Sequence, residues 1–145
     1  MTTVEIVILC FVALELSNVL ALYFFPGSRL ANSVGVFTAW EKSREYPEIH
    51  DFVKYLVYWI AGAKLIFILL LVVIVAFATP AIQRISLVVL AASTLSFYWR
   101  LFPLIRKMDR NRQIQPRNYS FTLGLLIAAF IALFLAAAFL LPKYG

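Results

Sequence analysis

The sequence predicts an all-α integral membrane protein: a four-transmembrane-helix antiparallel bundle with a short interfacial helix in the connection between the first two spans. Three observations carry this expectation. Hydrophobic residues make up 63% of the 145 residues and charged residues 14%, whereas a soluble domain has about half and about a quarter. Lipid must therefore be part of the solvent. Apolar stretches long enough to cross a hydrocarbon core of about 30 Å recur along the chain. Proline, glycine and charge separate them. The length suits a single transmembrane domain, 1–145, with about four crossings.

The first span is placed at about 4–25. Residues 6–25 carry one charge, Glu15, and Pro26-Gly27 ends the run. The apolar start lacks a basic leader region, so it reads as a retained helix. Residues 26–46 form the longest polar connection. Val34, Phe37 and Trp40 share one side of a short amphipathic helix there, with Trp40 expected at headgroup level. An ordinary aromatic-anchored loop is the other reading of this stretch.

The second span is placed at about 47–78. Pro47 opens it, and Glu48 and Asp51 suit the helix dipole. Its apolar heart, residues 55–77, spans about 35 Å and contains one charge, Lys64. Thr79-Pro80 reverses the chain. The third span is expected at about 80–104, with Pro103 kinking its end and Gln83, Ser86, Ser93, Ser96 and Arg100 on one face. A basic connection, 105–118, leads to a chargeless fourth span at about 119–141, which Pro142 ends.

Ten Lys and Arg residues fall on or beside the two long connections: Arg29, Lys42, Arg44, Lys54, Arg100, Arg106, Lys107, Arg110, Arg112 and Arg117. Two, Arg84 and Lys143, fall at the other end. This asymmetry places both connections in the cytoplasm and both termini outside a plasma (inner) membrane. The net charge of +6 then reports topology, and nucleic acid is not an expected partner.

A charge within a span is expensive unless answered. Glu15 lies about 14 Å below one membrane boundary and Lys64 about 14 Å above the other, which is the same depth on antiparallel neighbours. The two are expected to face each other, with Asn18 one turn from Glu15 as a further hydrogen-bond partner. The pair either fixes the register of the first two helices or serves as a proton or cation site.

Arg100, Arg106, Lys107, Arg110, Arg112 and Arg117 are candidate contacts for anionic lipid heads. Small residues recur every four positions at Ala13, Ser17 and Ala21, and at Gly124, Ala128, Ala132 and Ala136. Such ridges let another helix, or a second copy, approach closely.

One cysteine, Cys10, excludes an internal disulfide or a cysteine metal cluster, and one histidine, His50, excludes bis-His haem ligation. No catalytic motif is present, and neither cofactor nor metal is expected. Glu45, Glu48, His50 and Asp51 read as a solvated helix start. A single carboxylate in the first of four helices resembles the small multidrug exporters in outline. The long 26–48 connection and the answering lysine count against membership.

The function expected first is that of a non-enzymatic subunit or accessory factor of a membrane complex. A small proton- or cation-coupled transporter using Glu15 and Lys64 is the alternative. A lipid-active membrane enzyme using the rim of Glu48, His50 and Asp51 is the third.

Overall fold

The computed structural model describes residues 1–31 and 33–140. Six helices follow in order: α1 Thr3–Phe24, α2 Thr38–Ser43, α3 Pro47–Phe77, α4 Pro80–Leu95, α5 Leu101–Arg110 and α6 Tyr119–Phe139. Single 3-10 turns at Val34–Val36 and Ser96–Tyr98 precede α2 and α5. Helices α1, α3 and α6, and α4 with its following turn, are long and apolar enough to cross a membrane. The protein is an all-α, multipass, four-helix membrane bundle. The expected end of the fourth span at Leu141, its stop at Pro142 and the basic Lys143 lie outside the described residues.

Helix α1 packs along α3, and α4 packs along α6. The main core joins all four at the end holding the start of α1. It contains Val4, Ile8, Val12, Ile68, Leu71, Leu87, Leu90, Phe134 and Ala137. Phe11 meets Phe67, Phe130 and Phe134 edge-on, with ring centroids 5.0 to 6.1 Å apart, the arrangement that aromatic quadrupoles favour.

The third span departs from expectation. It does not run unbroken to residue 104: α4 stops at Leu95, a 3-10 turn follows, and α5 restarts at Leu101. Pro103 explains the break. In a continuous helix it would lack a donor for the Trp99 carbonyl and collide with it. Restarting at Leu101 puts Pro103 in a first turn, where its missing N–H is no loss. The connection expected at 105–118 is therefore helical as far as Arg110.

The 26–46 connection is folded onto the chain itself. Val34 N–H donates to the Pro26 carbonyl at 2.9 Å, and Gly35 N–H to Ser28 at 3.1 Å. A Cβ at Gly35 would lie 2.1 Å from the Gly27 oxygen, so only glycine fits this crossing. Trp40 is packed inside this connection. It is 4% exposed, its indole covering Gly27 and its ring 4.7 Å from that of His50. Gly27 has no side chain, which leaves the room the indole fills.

This connection is joined to the one before α6. Phe37 and Ile114 form an isolated antiparallel bridge. Gln115 N–H donates to Val36 and Thr38 N–H to Gln113, both at 2.9 Å, and Arg29 Nη2 donates to Gln115 Oε1 at 3.2 Å. Val36, Ile105 and Ile114 bury a small core beneath them.

Candidate functional site

Helices α1 and α3 bring Glu15 and Lys64 together. Each is the one charge in the apolar heart of its helix, so within a membrane its side chain is costly unless it finds a partner. Glu15 lies about 18 Å along α1, and Lys64 about 20 Å before the end of α3. Lys64 Nζ donates to Glu15 Oε2 at 2.5 Å. The lysine side chain is 28% exposed and the carboxylate side chain 15%.

Asn18 is buried one turn from Glu15. Among the described residues no hydrogen bond joins it to Glu15 or Lys64, which differs from the expected network. Asn18 instead lines a cleft.

That cleft has a volume of about 540 Å³ and separates α1 from α6, with Thr94 of α4 on its wall. Glu15, Ser17, Asn18 and Thr122 line it beside Phe11 and Phe130. A carboxylate and a few polar groups in an otherwise apolar wall make a space for an amphipathic molecule or a water chain. Glu15 thus both bonds Lys64 and lines the cleft.

A second cavity, of about 850 Å³, lies where α5, the 111–118 segment and the start of α6 meet. Arg106, Arg110, Arg112 and Arg117 line it with Asp109, Phe102 and Phe121. Arg100 and Lys107 do not belong to its wall; the Arg100 guanidinium lies over the Trp99 ring, 5.5 Å from its centroid. Partial burial pushes the Asp109 carboxyl up. Hydrogen bonds from the Ser120 hydroxyl, Ser120 N–H and the Asn118 backbone outweigh it and hold the group below the usual carboxylate range. The two Ser120 bonds measure 2.7 and 2.9 Å, and they cap α6 from another element.

The acidic rim does not converge. Glu45, Glu48 and Asp51 are exposed, and Asp51 is 3.8 Å from Lys54. His50 instead meets Ser43, with Nδ1 and Oγ 2.7 Å apart. The Ser43 hydroxyl donates to the Trp40 carbonyl at 2.7 Å, so a neutral His50 carries its proton on Nδ1. This buried serine secures the end of α2. Among the described residues no group of three or more potential ligands is placed to hold a metal ion.

At the opposite end, sequence reasoning missed a polar knot. Thr2 and Glu5 form a capping box, with Thr2 N–H donating to Glu5 at 2.8 Å and Glu5 N–H to Thr2 Oγ1 at 3.2 Å. Gln83 Nε2 then reaches Glu5 Oε1 at 3.4 Å and the Val75 carbonyl at 3.3 Å. The Thr-x-x-Glu spacing was the available signal. Ser86 and Ser96 bond carbonyls of their own turn, Ile82 and Ser93.

Compared with protein-family models, curated proteins and solved structures, the chain matches none.

Proposed function

We propose that this protein is a non-enzymatic subunit or accessory factor of a membrane complex. The observation that supports this reading is the exposure of part of each small-residue ridge. Ala13 on α1, and Ala128 and Ala132 on α6, are exposed, whereas Ser17 lines the cleft, Ala21 and Ala136 are half-buried, and Gly124 is used internally beneath Phe102. Small residues on an apolar surface give lipid little to pack against and give another helix a close approach. Native-membrane pull-down with mass spectrometry is the test. Specific partners, or a stable dimer, are expected, and Ala13→Leu with Ala128→Leu should release them while preserving the fold. A sample that is strictly monomeric in mild detergent and never co-purifies with another protein would overturn the reading.

The cleft favours a second reading, a proton- or cation-coupled carrier in which Glu15 takes the ion and Lys64 holds the carboxylate between cycles. Here Glu15→Gln should assemble normally and abolish coupled flux in liposomes. Unchanged flux with lower stability would leave the pair a purely structural role.

We also infer that the two bonded connections face the cytoplasm, from the ten-to-two distribution of Lys and Arg. With Cys10 replaced by serine, Asn111→Cys should react with an impermeant maleimide only after cells are lysed. Labelling of intact cells would invert the topology.

A further inference from the structure

The arginine cavity carries a net positive charge, with four guanidinium groups against the one carboxylate of Asp109. Arg106 and Arg110 stand one turn apart on α5, and Arg112 and Arg117 come from the segment that follows. None of the four is in the ion pairs found among the described residues. Asp109 shares the cavity and, held in place by the Ser120 N–H and hydroxyl, offsets one of the four charges, which leaves the arginines in excess. Gathering like charges costs free energy, and an anion in the cavity would offset that cost.

The site is also preorganised. Gln113 accepts from the Thr38 N–H and hydroxyl, Gln115 donates to Val36, and Ile114 is buried between the arginine-bearing stretches. Arg112 and Asn118 adopt left-handed backbone angles, with φ of 57° and 64°. The segment is therefore pinned at its middle, and less ordering remains to be done on binding.

Size and surroundings narrow the ligand. A volume of about 850 Å³ falls within the range of ligand pockets, roughly 300–1,000 Å³. Guanidinium groups recognise phosphate bidentately, and four of them suit more than one phosphate charge. Phe121, on the cavity wall, is 69% exposed, and Leu125 below it on α6 is exposed too, as are Leu101 and Leu104. An apolar track therefore leads from the cavity into the membrane-spanning surface.

We propose that this cavity binds the head of an anionic phospholipid carrying at least two negative charges, with its acyl chains lying along Phe121 and Leu125. The inference stands independently of whether the protein is a subunit or a carrier.

The test uses the full chain in detergent and counts retained lipid by native mass spectrometry. Phosphatidylcholine, phosphatidylglycerol and cardiolipin serve as probes of zero, one and two charges, and inorganic pyrophosphate as the soluble one. Retention should rise with lipid charge. Arg110→Gln and Arg117→Gln should each lower cardiolipin retention about fivefold, since each charge contributes about 1 kcal/mol near a membrane surface. Arg100→Gln and Lys107→Gln, outside the cavity, should leave it unchanged.

Equal loss from all four variants would show diffuse attraction and overturn the site. So would equal retention of the three lipids by the unaltered protein, a result that needs no variant to fold. Pyrophosphate binding as tight as cardiolipin binding would assign the cavity to soluble phosphates and overturn the lipid.

Discussion

Removing Lys64 alone should destabilise the bundle, and removing Glu15 with it should restore most of the loss. Lys64 Nζ and Glu15 Oε2 lie 2.5 Å apart. With charge centres about 3 Å apart and an effective dielectric near 20, their attraction is about 5–6 kcal/mol. Desolvation costs several kcal/mol per ion, so the intact pair nearly breaks even. A lone buried ion loses the attraction and keeps the desolvation, a loss of about 3–5 kcal/mol. The lysine side chain retains 28% exposure, which favours the lower end, about 3 kcal/mol. Lys64→Met should therefore cost about 3 kcal/mol and Glu15→Leu a similar amount, with Glu15→Leu/Lys64→Met within about 1 kcal/mol of the parent. The assay is a double-mutant cycle on reversible unfolding in mixed micelles, followed by helical circular dichroism. Additive losses in the double variant would refute the reasoning, because each charge would then be acting without the other.

The two packed glycines should differ in severity. Gly35→Ala meets backbone oxygens at 2.1 and 2.4 Å and should lower stability by the full overpacking penalty, about 3 kcal/mol. Gly124→Ala meets the Phe102 ring at 2.7 Å and should cost about 1 kcal/mol, read by the same unfolding assay. Asp109→Asn weakens the cap on α6 and should cost about 1 kcal/mol, with faster amide exchange confined to the first turn of that helix. Because the Asp109 carboxyl is held below its usual range, its contribution is complete above about pH 5 and fades as pH falls further. The stability difference between Asp109→Asn and the parent should shrink over that acid window and stay constant from pH 5 to 8.

Legibility followed the distance over which the causes act. The four spans were readable because a long apolar stretch in a chain with so few charges has no other stable home. The meeting of Glu15 and Lys64 was readable because two adjacent rods with a fixed rise convert residue number into depth. What the pair does was not. The burial of Trp40 was not readable because it depends on Gly27, a residue whose role appears only when the connection crosses itself. The bond between Thr38 and Gln113 spans 75 residues, and nothing local in either stretch announces it. Pro103 announced a disturbance, but the chain had to choose between a kink and a restart, and the Trp99 carbonyl decided it. Arg106, Arg110, Arg112 and Arg117 were readable as a basic run. Their separation from Arg100 and Lys107 required the cavity.

The first turn of α6 ties the two cavities into one arrangement. Tyr119 and Thr122 face the Glu15 cleft, while Ser120 and Phe121 face the arginine cavity. Residues three apart on a helix share a side, as Tyr119 and Thr122 do, while the two between them turn away, so this single turn is the wall between the cavities. Asp109 holds it through Ser120, and Asn118 before it is fixed in a left-handed conformation. The α1–α3 and α4–α6 pairs are bonded at one end by Gln83 and at the other by the joined connections. Between those two fastenings the cleft stays open beside Glu15. Anything that shifts the first turn of α6 therefore changes the wall of the charged cleft and the floor of the basic cavity together. That shared wall predicts that Asp109→Asn alters the accessibility of a Thr122→Cys probe in the cleft as well as lipid retention in the cavity, whereas Arg117→Gln alters lipid retention alone. Equal effects of both substitutions on the cleft probe would mean that the wall is not held by Asp109.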